Sequence, residues 1–288
     1  MGGGEPRDPR AWRLGAGLRR AVAGQRVGRP GARVLAARGP GQRAVSGGEH
    51  ALPPRGCHDD RRPRRGGHHR RRLRALSSTR HAAAAYGAAA AEYARLLPDL
   101  SFEAASDVAW LRRWAGLASA HAPLPVVDAG CGTGRLLPFL RGCGLDPVIG
   151  VDPSAGMLAH ARSMHPEGEW RDGSLEHLPL ADASACGVLG WYSMIHLDGD
   201  GLAAAARECA RVLAPGAPLL WGFHSGAADA PSRHLAVDGE PLVVRALPVP
   251  VVVAALVSAG LELVASGRRE PRPGERAAQG MVIARRAR

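Results

Sequence analysis

The stretch VVDAGCGTGR, residues 126–135, decides the fold class of this chain. Two β-branched residues open it, as in a buried strand, and glycines follow at alternate positions. Glycine permits a tight turn and a close approach of the backbone to a ligand. Counted from Gly130, the last position of a G-x-G-x-x-G pattern falls on Arg135, so the dinucleotide motif does not match. The stretch instead predicts a strand, a glycine turn and a helix around another small ligand.

Charge around the turn indicates the kind of ligand. Asp128 stands two residues before Gly130, where its carboxylate can hold a cationic amino group. We expect free backbone amides in the turn and at the helix start, which attract negative charge. Together these groups fit the amino and carboxylate ends of a methionine moiety.

A second acidic residue ends the next apolar stretch. Asp152 follows residues 148–151 and lies 20 positions after Gly132, where an acid can accept hydrogen bonds from both hydroxyls of a ribose. The sequence Asp152-Pro153-Ser154 also reads as a strand end followed by a helix cap. From this motif alone both interpretations stay open.

Short apolar strands alternate with helices outward from the glycine turn. This alternation predicts βαβ units and a parallel sheet covered on both faces. Near the end, a helix from residue 248 to 259 precedes two strands joined by a loop, which predicts an antiparallel hairpin. We expect residues 225–247 to be a loop. The expected strands are 126–127, 148–151, 188–191, 218–223, 261–265 and 281–284, and the other helices are 81–97, 102–117, 136–140, 154–164 and 202–213.

Charge divides the chain in two. Residues 1–80 contain 20 Arg and five acidic residues, whereas residues 81–288 contain 18 Arg and 21 acidic residues. The first segment is rich in Arg, Gly and Pro and is expected to be a disordered extension. It reads as an idle tail or a misassigned start, as a segment that contacts RNA or anionic surfaces, or as a targeting peptide. The second segment is expected to be one folded domain whose partner is a small molecule and not a nucleic acid.

Cysteine spacing and hydropathy exclude several other classes. The five cysteines form no C-x-x-C pair, which argues against a zinc ribbon and a disulfide framework. We therefore predict no metal site and a cytoplasmic location. No apolar run approaches the ~18 residues that a membrane-spanning helix needs, so no membrane association is expected.

Five motifs in order resemble the class I S-adenosylmethionine-dependent methyltransferases, especially the methyltransferase type 11 group and similar actinobacterial proteins. The resemblance covers about residues 86–284. It implies an α/β, Rossmann-like fold: a seven-stranded, mostly parallel sheet with an antiparallel last strand and helices on both faces. S-adenosylmethionine would lie across the C-terminal edges of the first strands. The motifs are the glycine turn, GVDPSAGM at 150–157, GSLEHLPL at 173–180, WYSMIH at 191–196 and RVLAPG at 211–216.

The same resemblance assigns cofactor contacts by position. The methionine portion falls to Asp128 and the glycine turn, the ribose to the end of the second strand, and the adenine to Met157 and the third motif. Ser174 stands where many relatives have an Asp, which leaves adenine recognition the least defined part. Tyr86 and Tyr93 match aromatic positions of a lid helix, although a pair seven apart also packs on a sheet. The expected cofactor contacts are Asp128, Gly130, Cys131, Gly132, Thr133, Gly134, Asp152, Pro153, Met157, Ser174, Leu175, Trp191 and Tyr93.

Two histidines are candidates for a general base. His196 follows the fourth strand, where relatives place the acceptor, and His224 follows the strand that ends at Phe223. The expected function is transfer of a methyl group to O, N or C of a small molecule. A non-catalytic cofactor-binding protein is one alternative. An RNA methyltransferase that uses the basic segment is another, although residues 192–195 lack the Asn/Asp-Pro-Pro-Tyr run of the family's RNA N-methylating members.

Overall fold

The computed structural model describes residues 79–227, 233–237, 240–273 and 275–288. All but the last two residues of the predicted N-terminal extension lie outside this described part, so the extension and its boundary at residue 80 stay a prediction. The described helices are α1 (79–88), α2 (Ala90–Leu96), α3 (Ala105–Ala118), α4 (Leu137–Gly142), α5 (Ala155–Met164), α6 (Gly199–Val212) and α7 (Val249–Ser258).

The described strands are β1 (Val126–Ala129), β2 (Val148–Asp152), β3 (Glu169–Asp172), β4 (Gly187–Trp191), β5 (Pro218–Ser225), β6 (Arg233–Val237), β7 (Glu240–Val244), β8 (Leu261–Arg269) and β9 (Ala278–Arg286). Seven of them form one sheet in the order β3-β2-β1-β4-β5-β9-β8, and β6 pairs with β7 in a separate two-stranded sheet. The predicted fold class is confirmed, because the pairs from β3 through β5 are parallel and β9 runs antiparallel to both of its neighbours.

The strand order fixes where a ligand can bind. From β1 the sheet continues to β2 and β3 on one side and to β4 and β5 on the other, so the order of the strands reverses between β1 and the central strand β4. At such a switch point the loops after the two strands leave in opposite directions and open a crevice at their C-terminal ends. The glycine turn follows β1 and the WYSMIH motif begins at the end of β4, so both motifs reach this crevice.

Buried central strands hold this part of the molecule together. Every residue of β1, β2 and β4 is buried, as expected for parallel strands covered by helices on both faces. One apolar cluster lies on the face covered by α6 and α7, and the other lies on the face covered by α3 and α4. Trp114 of α3 and Trp221 of β5 are completely buried, one in each cluster.

Three segments differ from the sequence prediction. The single helix expected at residues 81–97 is interrupted at Ala89, which separates α1 from α2. Strand β3 was not expected because its sequence, EWRD, is half exposed at the sheet edge and lacks an apolar alternation. The prediction of a loop at residues 225–247 is wrong, since this segment contains the antiparallel pair β6 and β7.

The two-stranded sheet lies against the N-terminal helices. Val237 of β6 and Leu242 of β7 form a small apolar cluster with the buried faces of α1 and the residue that follows it, Ala82, Ala85 and Ala89. We call α1 and α2 the lid, because they lie over the crevice.

None of the helices in the described part of the chain has the length and apolar character that a membrane-spanning helix requires.

Candidate cofactor site

A cleft opens at the C-terminal ends of β1, β2 and β4. The lid covers one side of it, and the glycine turn and the loops after β2 and β4 form the others. Nine of the predicted cofactor contacts line this cleft: Tyr93 of the lid, Gly130, Gly132, Asp152, Pro153, Met157, Ser174, Leu175 and Trp191. The histidine candidate His196 lines it as well.

The glycine turn has the conformation that its sequence demands. Gly130, Gly132 and Gly134 have φ angles of 83°, 55° and 77°, which side chains with a Cβ rarely adopt. A Cβ on Gly130 would lie 2.2 Å from the Cβ of Ser193, so the turn can approach the loop after β4 only without a side chain. A Cβ on Gly132 would meet no atom within 4 Å, because this residue faces the open cleft.

The expectation of free amides is wrong for three turn residues that bond β2 and for Gly134, whose N–H donates to the carbonyl oxygen of Cys131 at 3.0 Å. The N–H groups of Gly130 and Cys131 both donate to the carbonyl oxygen of Val151, at 2.7 and 3.1 Å. The N–H of Gly132 donates to Oδ2 of Asp152 at 2.9 Å. The amides of Gly130, Cys131 and Gly132 therefore anchor the turn to β2, whereas the sequence predicted that they would be free to bind a ligand.

Asp128 is the clearest unpaired polar group beneath the turn. It is 3% exposed, and its Oδ1 has no hydrogen-bond partner in the described structure. Burial raises the pKa of Asp128 to about 7; Arg135 opposes this shift and Asp152 adds to it. A buried carboxylate without a partner is costly, and a cation beside it would remove that cost. Asp128 does not itself line the cleft.

Asp152 ends β2 beside the cap of α5 and also faces the cleft. Its Oδ1 accepts a hydrogen bond from the N–H of Ser154 at 2.8 Å, and Ser154 in turn caps α5 through Met157. Burial raises the pKa of Asp152 to about 6, against the lowering effect of the amides of Ser154 and Gly132. A carboxylate has about four acceptor sites, so sites for further donors remain.

The far end of the cleft is formed by Met157, Ser174 and Leu175. The backbones of Ser174 and His177 exchange two hydrogen bonds of 3.0 Å, which fixes the loop that carries Ser174. Met157 and Leu175 are both buried and present an apolar surface there. This end suits a flat apolar group with few polar edges. The remaining predicted contacts, Cys131, Thr133 and Gly134, are buried behind the turn and do not line the cleft.

The two candidate histidines lie in different surroundings. His196 lines the cleft, and its ring nitrogens contact Val243 and Tyr86. Burial lowers the pKa of His196, with a smaller lowering from Arg245. The other candidate, His224, lies outside the cleft lining and contacts the Tyr192 ring at a centroid distance of 5.2 Å.

A buried ion pair that sequence reasoning did not single out supports the cleft wall. Arg135, the residue after the glycine turn, donates to Glu103 Oε1 at 2.9 Å, and both side chains are about 10% exposed. The indole N–H of Trp191 donates to the same oxygen at 3.1 Å. Arg135 also bonds the carbonyl of Asp99. The only sequence signal was the position of Arg135 next to the turn, since Glu103 lies 32 residues away.

Comparison with known proteins gives concordant similarities. Residues 126–216 match the sequence family described as "Methyltransferase domain". The chain is similar to a malonyl-[acyl-carrier protein] O-methyltransferase of Pectobacterium atrosepticum, with 36% identity over 50% of this chain and 56% of the relative. A probable S-adenosylmethionine-dependent methyltransferase of Mycobacterium tuberculosis is 32% identical over 59% of this chain and 61% of the relative. The chain thus spans less than two thirds of these relatives.

Among solved structures, an S-adenosylmethionine-dependent methyltransferase from Methanosarcina mazei has a similar fold, with a TM-score of 0.51 and 17% identity. The match covers 57% of this chain and 92% of the other. At this identity the likeness concerns the fold alone.

Proposed function

We propose that this chain contains a class I S-adenosylmethionine-dependent methyltransferase domain, and that it transfers the methyl group of S-adenosylmethionine to a small-molecule acceptor. The observation that carries the proposal is the buried, unpaired carboxylate of Asp128 behind a glycine turn that opens to a cleft. The methyl donor has a cationic amino group and a sulfonium, and a site with an uncompensated buried carboxylate favours cations.

The residues of the cleft fit the three parts of the donor. Asp128 and the open face of Gly132 would hold the methionine portion. Asp152 would accept from the ribose hydroxyls through the acceptor sites that the backbone amides leave. Met157 and Leu175 would pack against the adenine, with Ser174 near its edge. All of these residues except Asp128, which is buried behind the turn, line one cleft, and this supports the assignments.

The chemistry of the donor is simple, since its sulfonium makes the methyl carbon electrophilic. The chain has to align the acceptor with that carbon and keep water away. Well-oriented reactions gain roughly 7–11 kcal/mol from such positioning. Tyr86, Ala82 and Ala83 of the lid close the side of the cleft opposite the sheet. His196 would take a proton from the acceptor through Nε2, because its lowered pKa keeps the ring neutral.

The covered cleft favours a small acceptor, and the name of one relative favours methylation on oxygen. The cleft is covered by the lid, so an acceptor must fit between the lid and the loop after β4. The relative from Pectobacterium atrosepticum is named as an O-methyltransferase.

We further propose a reducing, cytoplasmic location, which the four free cysteines of the described part support.

Titration calorimetry with S-adenosylmethionine and with S-adenosylhomocysteine tests the first step. We expect both to bind the full-length protein with one site per chain. A folded sample that binds neither would contradict the proposal. A radiolabelled methyl donor supplied with phenols, quinones and amines tests the second step. Binding without transfer to any acceptor would favour the alternative of a non-catalytic cofactor-binding protein.

A further inference from the structure

A chain of hydrogen bonds joins the two-stranded sheet to the lid through His196. The Nδ1 atom of His196 lies 2.7 Å from the carbonyl oxygen of Val243 in β7. The Nε2 atom lies 3.2 Å from the hydroxyl of Tyr86 in α1. A carbonyl oxygen can only accept, so Nδ1 carries the proton of a neutral imidazole and Nε2 keeps its lone pair. The Tyr86 hydroxyl therefore donates to His196.

The pKa shifts of Tyr86 and His196 agree with a hydrogen bond donated by the hydroxyl to the imidazole. Burial raises the pKa of Tyr86 well above its ordinary value, and Tyr93 and Asp152 add to the shift. Burial and Arg245 lower the pKa of His196, against the opposing effect of the Val243 carbonyl. A protonated phenol thus faces a neutral imidazole lone pair near neutral pH.

The pair lies inside the cleft proposed for the methyl donor. Both Tyr86 and His196 line it, together with Asp152 and Met157. The two rings meet edge to face with centroids 5.6 Å apart, so a flat ring already fits against the imidazole. Tyr86 belongs to the lid, whereas His196 follows the sheet strand β4. Movement of the lid would therefore uncover Nε2 while the imidazole stays in place.

We propose that the Tyr86 hydroxyl occupies the position at His196 Nε2 that the acceptor hydroxyl takes during the reaction, and that the acceptor is a phenol or another weakly acidic hydroxyl on a flat ring. This inference rests on the proposed methyl transfer. The acceptor O–H bond breaks and its proton passes to Nε2, while the oxygen electron pair forms the bond to the methyl carbon. The electrons of the broken carbon–sulfur bond stay on sulfur, which yields neutral S-adenosylhomocysteine. The proton then leaves His196 for solvent.

A first experiment examines the hydrogen bond without any acceptor. Nuclear magnetic resonance of ¹⁵N-labelled histidine in the full-length protein, assigned with His196→Asn, should show the Nδ1–H tautomer. The Tyr86 hydroxyl stabilises neutral His196 by donating to the imidazole lone pair. Tyr86→Phe removes this donor, so the pKa of His196 should rise. Tyr93→Phe is the matched control and should leave that pKa unchanged. An unchanged pKa in Tyr86→Phe would overturn the proposal.

A second experiment replaces the Tyr86 side chain with a free phenol. In Tyr86→Ala saturated with S-adenosylhomocysteine, 4-methylphenol should return the His196 resonances toward their wild-type positions, whereas 4-methylaniline and 4-methylbenzoate should not. If 4-methylphenol leaves the His196 resonances unchanged although S-adenosylhomocysteine is bound, the inference is overturned and the proposed function stands. Failure of S-adenosylhomocysteine to bind the wild-type protein would instead defeat the proposed function.

A third measurement follows transfer itself. With S-adenosylmethionine present, Tyr86→Ala should convert 4-methylphenol to 4-methylanisole, and the added His196→Asn change should slow the reaction by ~10²–10⁴-fold, the usual contribution of a general base. Preferential methylation of the aniline or the benzoate would overturn the assigned acceptor class.

Discussion

Asp128 is the residue on which cofactor binding should depend most. Its buried Oδ1 has no partner, so replacement by Asn removes the charge that would pair with the donor's ammonium group. A hydrogen bond to a charged group contributes about 1.5–3 kcal/mol, which corresponds to a ten- to hundredfold loss of affinity. Calorimetry with S-adenosylhomocysteine would measure this loss.

The matched control for Asp128→Asn is Asp182→Asn. Asp182 is 76% exposed at its side chain and pairs with Arg211 away from the cleft lining. This control removes the same charge and should leave the affinity unchanged. Equal affinities of the two variants for S-adenosylhomocysteine would show that Asp128 does not contribute to binding.

Titration of the same carboxylate predicts how binding depends on pH. Asp128 has a pKa of about 7 and Asp152 one of about 6, both raised chiefly by burial. The ionised forms favour a cation, so affinity for S-adenosylhomocysteine should increase as pH rises from 5 to 8. Calorimetry across this range would show the increase, and Asp128→Asn should lose the part near pH 7. A flat profile in the wild-type protein would contradict this assignment.

Stability without ligand should change in the opposite direction. The folded protein holds a proton on Asp128 up to about pH 7, whereas the ordinary carboxyl pKa is 3.8. Between these values the unfolded chain binds fewer protons at this residue than the folded chain. The contribution of Asp128 to the free energy of unfolding therefore falls as pH rises from about 4 to 7.

Among the structural elements, the glycine turn is the most sensitive to added bulk. Gly130→Ala places a Cβ 2.2 Å from the Cβ of Ser193 at a φ of +83°. Left-handed backbone costs about 1–2 kcal/mol for a residue with a Cβ. The overlap should add about 1–3 kcal/mol. Thermal unfolding should show a clearly lower Tm.

Gly144→Ala separates these two costs. Gly144 lies two residues after the end of α4 with a φ of +79°, and an added Cβ would meet no atom within 4 Å. This variant has the backbone strain without the overlap, so its Tm should fall less than that of Gly130→Ala. Equal losses would show that the contact with Ser193 does not constrain the turn.

On the scale of the whole molecule, a buried ion pair joins α3 to the end of β8. Both oxygens of Asp107 accept from Arg269, at 2.8 and 2.7 Å, and the Asp107 side chain is 1% exposed. Asp107→Asn leaves the partly buried guanidinium of Arg269 with one carboxylate partner, Glu275. We expect the free energy of unfolding to fall by about 1–3 kcal/mol, the cost of an unsatisfied buried group. Urea unfolding would measure it.

Glu262→Gln provides the comparison for that ion pair. Glu262 bonds Arg285 across β8 and β9, and both side chains are about half exposed. Exposed pairs of this kind contribute about 0–1 kcal/mol. A loss for Glu262→Gln as large as that for Asp107→Asn would refute the role assigned to burial.

Much of the architecture could be read from neighbouring residues. The glycine turn, the buried strands and helices such as α5 follow from apolar periodicity and caps within about 15 residues. Strand β3 and the β6–β7 pair could not be read in this way. The first has no apolar alternation, and the second is stabilised by contacts with the lid, which is distant in sequence.

The fold class, the glycine turn and the acidic residues at the ends of the first two strands follow from the amino-acid sequence, because a strand, a turn and a cap depend on local backbone preferences. Which side chains meet depends on the folded molecule. His196 contacts Val243 and Tyr86, which are 47 and 110 residues away, and Glu103 joins Arg135 to Trp191. The physical reason is that such contacts arise from the packing of whole elements, and the spacing of residues along the chain does not record that packing.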